Sequence, residues 1–157
     1  MKIMPASLSK RIKQKGFTLI ELLVVIGILA ILLAIVLIAI NPARQFAQAN
    51  NTQRSSDVNA ILNAVHQYAA DNAGQLPAGI TTTAANISDT GANICALLVT
   101  DYLAALPADP TTAGAIDEAA CAAAHDTGYT IVTSAANNRV TVTAPSAELG
   151  VVISATR

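Results

Sequence analysis

Glu21 is one carboxylate near the head of a span otherwise suited to lipid. Lys15-Gly16-Phe17-Thr18-Leu19-Ile20-Glu21 runs directly into residues 22–40, which carry no charge. An ionisable group in such a span is expensive unless it is paired, so Glu21 reads as functional by default. The chemistry open to it is pairing with a cation, and residues 17–43 supply no lysine or arginine side chain. A second reactive pair is Cys95 with Cys121, which form either a disulfide or two buried free thiols. His66 and His125 have no accompanying nucleophile motif, and a lone histidine is ordinarily a core or surface residue, so no catalysis is expected. Asp101, Asp109, Asp117, Glu118 and Asp126 fall in one irregular region without the spacing of an EF-hand. They are expected to be solvated surface acids, with no metal site and no cofactor.

These groups must be positioned by a chain of 157 residues, enough for one modest domain and an anchor. Its hydrophobic content of 53% comes largely from residues 22–40 and from alanine. In helical form those 19 residues rise about 28 Å, close to the thickness of a bilayer's hydrocarbon core. The remaining core must be small and aliphatic, since the chain has no Trp, three Tyr and two Phe. Charge is divided unevenly. Lys2, Lys10, Arg11, Lys13 and Lys15 precede the span with no acid among them, whereas residues 17–157 hold ten acids, four arginines and no lysine. The positive-inside rule keeps the basic end cytoplasmic and exports everything after residue 40. An acidic, lysine-free exported part is a poor match to a phosphate backbone, which argues against nucleic acid as a direct ligand. Export also favours the disulfide over free thiols.

Beyond the apolar span, Val58, Ile61, Leu62, Val65, Tyr68 and Ala69 recur at helical spacing. Asp57, Asn59, Asn63, Gln67 and Asp71 mostly take the other positions, and Gly74 and Pro77 supply the stop. A helix over 17–73 would be about 85 Å long, more than a domain of this size can bury. Pro42 removes an amide donor and crowds the carbonyl four residues earlier, which predicts a kink or local unwinding at 39–43. Residues 81–86 read as a polar loop, and 94–102 and 117–125 as short helices. Residues 129–133, 139–144 and 149–154 read as strands, with a turn at 134–138. The expected fold class is α+β: a long N-terminal helix, apolar over 17–40 and amphipathic over 41–73, then an exported head over 74–157 whose small antiparallel sheet packs on the 58–69 stripe.

Three explanations compete for residues 1–40. A secretory signal peptide would use a small-residue site at Ala47-Gln48-Ala49, but its apolar region runs only 7–15 residues. A plain uncleaved anchor explains length and orientation but not Gly16, Phe17 or Glu21. The basic leader, the Gly-Phe junction, Thr18-Leu19-Ile20-Glu21 and the apolar run together resemble the class III leader of type IV pilins and pseudopilins. The resemblance is specific over residues 15–40 and architectural beyond residue 77.

It implies that a prepilin peptidase and methyltransferase removes residues 1–16 on the cytoplasmic face and methylates the new amine of Phe17. It also implies a lipid bilayer as the first environment, an inner-membrane assembly platform as partner, and other copies of the chain as final partners in a cell-surface filament. Glu21 would then neutralise the freed amine of a neighbouring copy, and Pro42 would lie where the helix extends as subunits pack. Tyr102-Leu103, Leu106-Pro107 and Asp109-Pro110 look similar to a run in type II secretion major pseudopilins, which bind calcium in the corresponding loops. Calcium is therefore the one metal the resemblance allows. The expected function is a non-enzymatic pilus-like filament subunit. A major pseudopilin of a secretion or competence system, and a membrane-anchored binding domain that never polymerises, are the alternatives.

Overall fold

A computed structural model describes residues 16–112 and 114–157, so the basic leader, Gly16 excepted, lies outside the described residues. The chain divides into two units, residues 1–41 and 42–157. In the first, α1 (Leu19–Ile40) has no buried residue. An 18-residue window of it has a mean hydropathy of 3.5, and its 22 residues make it long and apolar enough to cross a membrane. The helix ends at Asn41, whose φ of 47° is left-handed, a conformation asparagine tolerates better than most residues. The long helix expected over 17–73 is thus two helices with a break at Asn41, directly before Pro42.

In the second unit, α2 (Pro42–Asp71) begins with proline, whose missing N–H is no loss in a first helical turn. It stops where Ala73 and Gly74 turn left-handed and the Gly74 amide donates to the Ala69 carbonyl. Four antiparallel strands follow in the order β1-β2-β3-β4: β1 (Ala85–Ser88), β2 (Asp126–Thr133), β3 (Val140–Ala144) and β4 (Ile153–Thr156). On β3, Val140, Val142 and Ala144 point inward while Thr141 and Thr143 are partly exposed, the alternation a one-sided sheet requires. Val58, Ile61, Leu62 and Val65 of α2 meet Ile87, Tyr129, Ile131 and Val142 in one core. The architecture is α+β: an apolar N-terminal helix and its amphipathic successor, then a small antiparallel sheet.

Two elements differ from the sequence reading. Ala85–Ser88 is an edge strand rather than loop, paired to β2 through Ala85 with Ile131 and Asn86 with Thr130. Its four residues are too short for an alternating pattern to stand out in a polar stretch. The last strand starts at Ile153 rather than 149, because Leu149 and Gly150 have φ of 60° and 69° and turn the chain before pairing begins.

The helical turns α3 (Cys95–Leu98) and α4 (Glu118–Cys121) are four residues each, and Asp117 caps α4 by accepting the Ala120 amide. A single turn closes few intrahelical bonds, so another constraint is needed. Cys95 and Cys121 are bridged across a sequence separation of 26 residues, with Cα atoms 5.5 Å apart. Peptide mapping without reductant is therefore expected to join the two fragments. Cys121→Ser should lower head stability by about 2–5 kcal/mol in denaturant titrations. Alkylation of both cysteines in the unreduced protein would refute the bridge.

Candidate functional site

Two groups of residues stand out, one in each unit. In the first, Thr18 caps α1. Its Oγ1 accepts the Glu21 amide at 3.2 Å, and its carbonyl accepts the Leu22 amide at 3.2 Å. Threonine followed three residues later by glutamate is the sequence signature of a capping box, so Thr18 could have been singled out from spacing alone. The cap places Glu21 in the first turn, where unpaired amides and the helix dipole favour negative charge. Phe17, 79% exposed, immediately precedes the cap. A Cβ added at Gly16 would meet nothing within 4 Å, and the residue has no left-handed φ. The local fold therefore imposes no need for glycine at that position.

In the second unit, polar residues of α2 tie down two loops. Arg54 is fully buried. Its Nε donates to Asp109 Oδ2 at 2.7 Å and its Nη2 to Asp109 Oδ1 at 3.0 Å, a two-pronged guanidinium–carboxylate pair. Nη1 donates to Glu148 Oε2 at 2.8 Å and to Asn51 Oδ1 at 3.0 Å. Asn51 also accepts the Glu148 amide and donates to the Glu148 carbonyl, both at 2.9 Å, and Asn50 donates to Glu148 Oε2 at 3.0 Å. Asp109 takes two further bonds from Thr111, through its amide and its hydroxyl. One arginine thus joins the 109 loop and the 148 loop to one helix.

The electrostatics follow from this geometry. Arg54 is held charged, chiefly by its bonds to Asp109 and then by Glu148, against the cost of burial. Burial alone would raise the Asp109 carboxyl, but the bonds from Arg54 and Thr111 outweigh it and lower the pKa to about 2. Glu148 is lowered as well, first by Arg54 and then by Asn50. Nearby, the Tyr129 hydroxyl donates to Asp57 Oδ2 at 2.8 Å. Burial first, then that carboxylate, pushes the phenol far above its ordinary range. Gly128 has a φ of +74°, and a Cβ there would stand 3.0 Å from the Asp109 Cβ, so the β2 backbone closes tightly on this centre.

Two sequence expectations are corrected here. Asp109 is a fully buried ion-pair member rather than a solvated acid, whereas Asp101, Asp117, Glu118 and Asp126 are exposed. Asp57 is buried and bonded to Tyr129 and Gln53 instead of lying on the solvated face of α2. Among the described residues, no three His, Cys, Asp or Glu side chains come together as a metal-binding group. His125 is buried with Nδ1 against the Ala123 carbonyl, and His66 lies on α2. The Nε2 of each has no hydrogen-bond partner among the described residues. The structure does not bring these two histidines into the polar centre.

Comparison with known families places residues 11–37 in a match to the prokaryotic N-terminal methylation motif, the class III leader of type IV pilin-like proteins. No curated protein and no solved structure matches the chain. The matched segment holds Gly16, Phe17, Thr18 and Glu21, and ends inside α1.

Proposed function

We propose that a chain bearing this methylation motif is the structural subunit of a type IV pilus-like filament, drawn from the membrane through its N-terminal helix. The observation that carries the reading is the motif's position on α1. From residue 19 on, the matched residues form most of a helix whose every side chain is exposed and whose first turn holds one carboxylate. An apolar helix of 22 residues with nothing buried against it needs lipid first, and copies of itself once it leaves lipid. Cleavage after Gly16 would free an amine at Phe17, one helical turn from Glu21. The carboxylate could then pair with that amine in its own chain or in a neighbouring one. Pairing across copies offsets the cost of holding a charge in low dielectric and sets the register between subunits. The head supplies the outer surface and has no enzymatic role in this reading.

Intact mass tests the first step. The mature protein is expected to comprise residues 17–157 with one added methyl group. A product beginning at Asn50, or an uncleaved chain, would defeat the filament reading in favour of a secreted domain or a plain anchor. Gly16→Glu is expected to leave full-length precursor in the membrane. A second reading, a major pseudopilin of a secretion system, is favoured by the Leu106-Pro107 and Asp109-Pro110 run. Against it, the Asp109 carboxylate is already engaged by Arg54 rather than turned toward a loop cation.

A further inference from the structure

The large apolar side chains that the head leaves exposed are gathered at one end of it. Among the described residues beyond 40 they are Phe46, Leu149, Val151 and Val152, and Val152 is 86% exposed. Phe46 lies in the second turn of α2, and the other three belong to the turn between Glu148 and β4. Asn50 and Asn51 hold Glu148, and Arg157 beyond β4 donates to Asn63. The segment from 148 to 157 therefore runs along α2 with its apolar turn nearer the start of that helix. Leu149 and Val151 share an open groove there with Arg44 and Gln48. Charge is sorted in the same way. No acid occurs between Glu21 and Asp57, nor after Glu148, although residues 17–157 hold ten. The acid-free stretch of α2 carries Arg44, which is exposed, and Arg54, which is buried in the polar centre.

Chain length fixes how far this end can be from lipid. Arg44 is four residues beyond Ile40, so its Cα lies within about 14 Å of the end of the apolar span, whatever the backbone angle at Asn41. Helical rise then puts Asn51, which anchors the apolar turn, about 14 Å from Pro42. The polar interface of a bilayer occupies roughly 5–8 Å beyond each face of its hydrocarbon core. We propose that this face docks on the anionic phospholipid headgroups of the bilayer in which α1 ends. Arg44 meets a phosphate there, and Leu149, Val151 and Val152 enter the boundary between headgroups and acyl chains. The inference rests on the reading of α1 as a membrane span and concerns the subunit before assembly. Each part of the face has its match in lipid. A guanidinium pairs with phosphate through two parallel bonds, the Gln48 amide can donate to headgroup oxygens, and the aliphatic side chains leave water. The acidic remainder of the head is repelled by the same anionic surface, which selects the face that turns toward it. The 148 turn is already tied to Asn51 and Arg54, so little order is lost on docking.

The chain has no Trp, so single tryptophans report the contact. The full chain is reconstituted in vesicles of phosphatidylcholine and phosphatidylglycerol, with or without bromine on the acyl chains close to the headgroups. Val152→Trp replaces a side chain that is almost fully exposed, so the core is left intact. Its emission is expected to fall at least twofold in the brominated vesicles, while Ala136→Trp, on the exposed turn between β2 and β3, is unchanged. Equal quenching at the two positions would mean that no particular face docks and would overturn the proposal. Leu29→Trp, within α1, separates this inference from the reading it rests on, in vesicles brominated deep in the chains. No quenching of Leu29→Trp would remove the span and the docking together. Quenching of Leu29→Trp but not of Val152→Trp would overturn the docking and leave the span standing. Adding Arg44→Gln to Val152→Trp is expected to weaken quenching in vesicles that contain phosphatidylglycerol and to abolish its dependence on salt. Unchanged quenching with unchanged salt dependence would refute the pairing with headgroups. A blue shift of Val152→Trp that grows with protein density and resists bromine would mark a contact between copies instead, and would also overturn the proposal.

Discussion

Arg54→Leu is expected to destabilise the head by about 3–5 kcal/mol, the cost of leaving a buried ion pair with one member. Asp109 has no exposed surface, and its remaining partner, Thr111, carries no charge. Glu148 is less affected because its side chain is 37% exposed and can be hydrated. The measurement is a urea titration of the mature protein in detergent with the disulfide intact. Adding Asp109→Asn to Arg54→Leu removes the orphaned charge and is expected to recover part of the loss. A change below about 1 kcal/mol for Arg54→Leu would mean that the centre contributes little net stability.

The same pair sets an acid limit. The Asp109 carboxyl is lowered from 3.8 to about 2 in the folded head, so its contribution is fully present above the unfolded value. It is lost as pH falls through about 4 toward 2, and amounts to about 2 kcal/mol. Glu148 is lowered too and loses its contribution in the same direction. Wild type is therefore expected to lose stability over that window, and Asp109→Asn to show a shallower acid limb. Equal acid limbs would remove the ion pair as the cause.

Glu21→Leu is expected to abolish incorporation into filaments while leaving insertion and cleavage intact. Insertion improves if anything, because an apolar residue replaces one that is costly in lipid. The proposed cleavage after Gly16 is expected to persist because the junction is unchanged. The Thr18 cap also survives, since it accepts the backbone amide of residue 21 rather than the side chain. On the filament reading proposed above, what would disappear is the charge that pairs with a freed amine and fixes register between copies. Co-expression with wild type, followed by quantifying each in sheared-filament and membrane fractions, reads the effect directly. Equal incorporation would show that Glu21 is not the register contact, and the filament assignment would then rest on the leader alone.

Features written in local periodicity were legible before any coordinates. The uncharged run beyond Glu21 reads as one helix because no polar group interrupts it, and residues 11–37 match the methylation motif. The spacing of Val58, Ile61, Leu62 and Val65 placed one face of α2 in the core, and the valine–threonine alternation of β3 placed its strand. Two cysteines in a part that the charge asymmetry predicts to be exported pointed to the Cys95–Cys121 bridge. Each signal is carried by composition or by residues a few positions apart, where backbone geometry alone dictates which side chains share a face.

Tertiary structure alone decided the polar centre. Arg54 meets Asp109 across 55 residues and Glu148 across 94, and nothing in the spacing of those acids marks two as partners of a buried arginine. Polarity by itself assigns such residues to solvent. Only the closing of two loops on α2 shows that Asp109 and Asp57 are inside, because a charge leaves water only where another chain segment supplies its partner. The late start of β4 has the same origin. Asn51 holds both the amide and the carbonyl of Glu148, the chain turns left-handed at Leu149 and Gly150, and pairing with β3 begins only at Ile153.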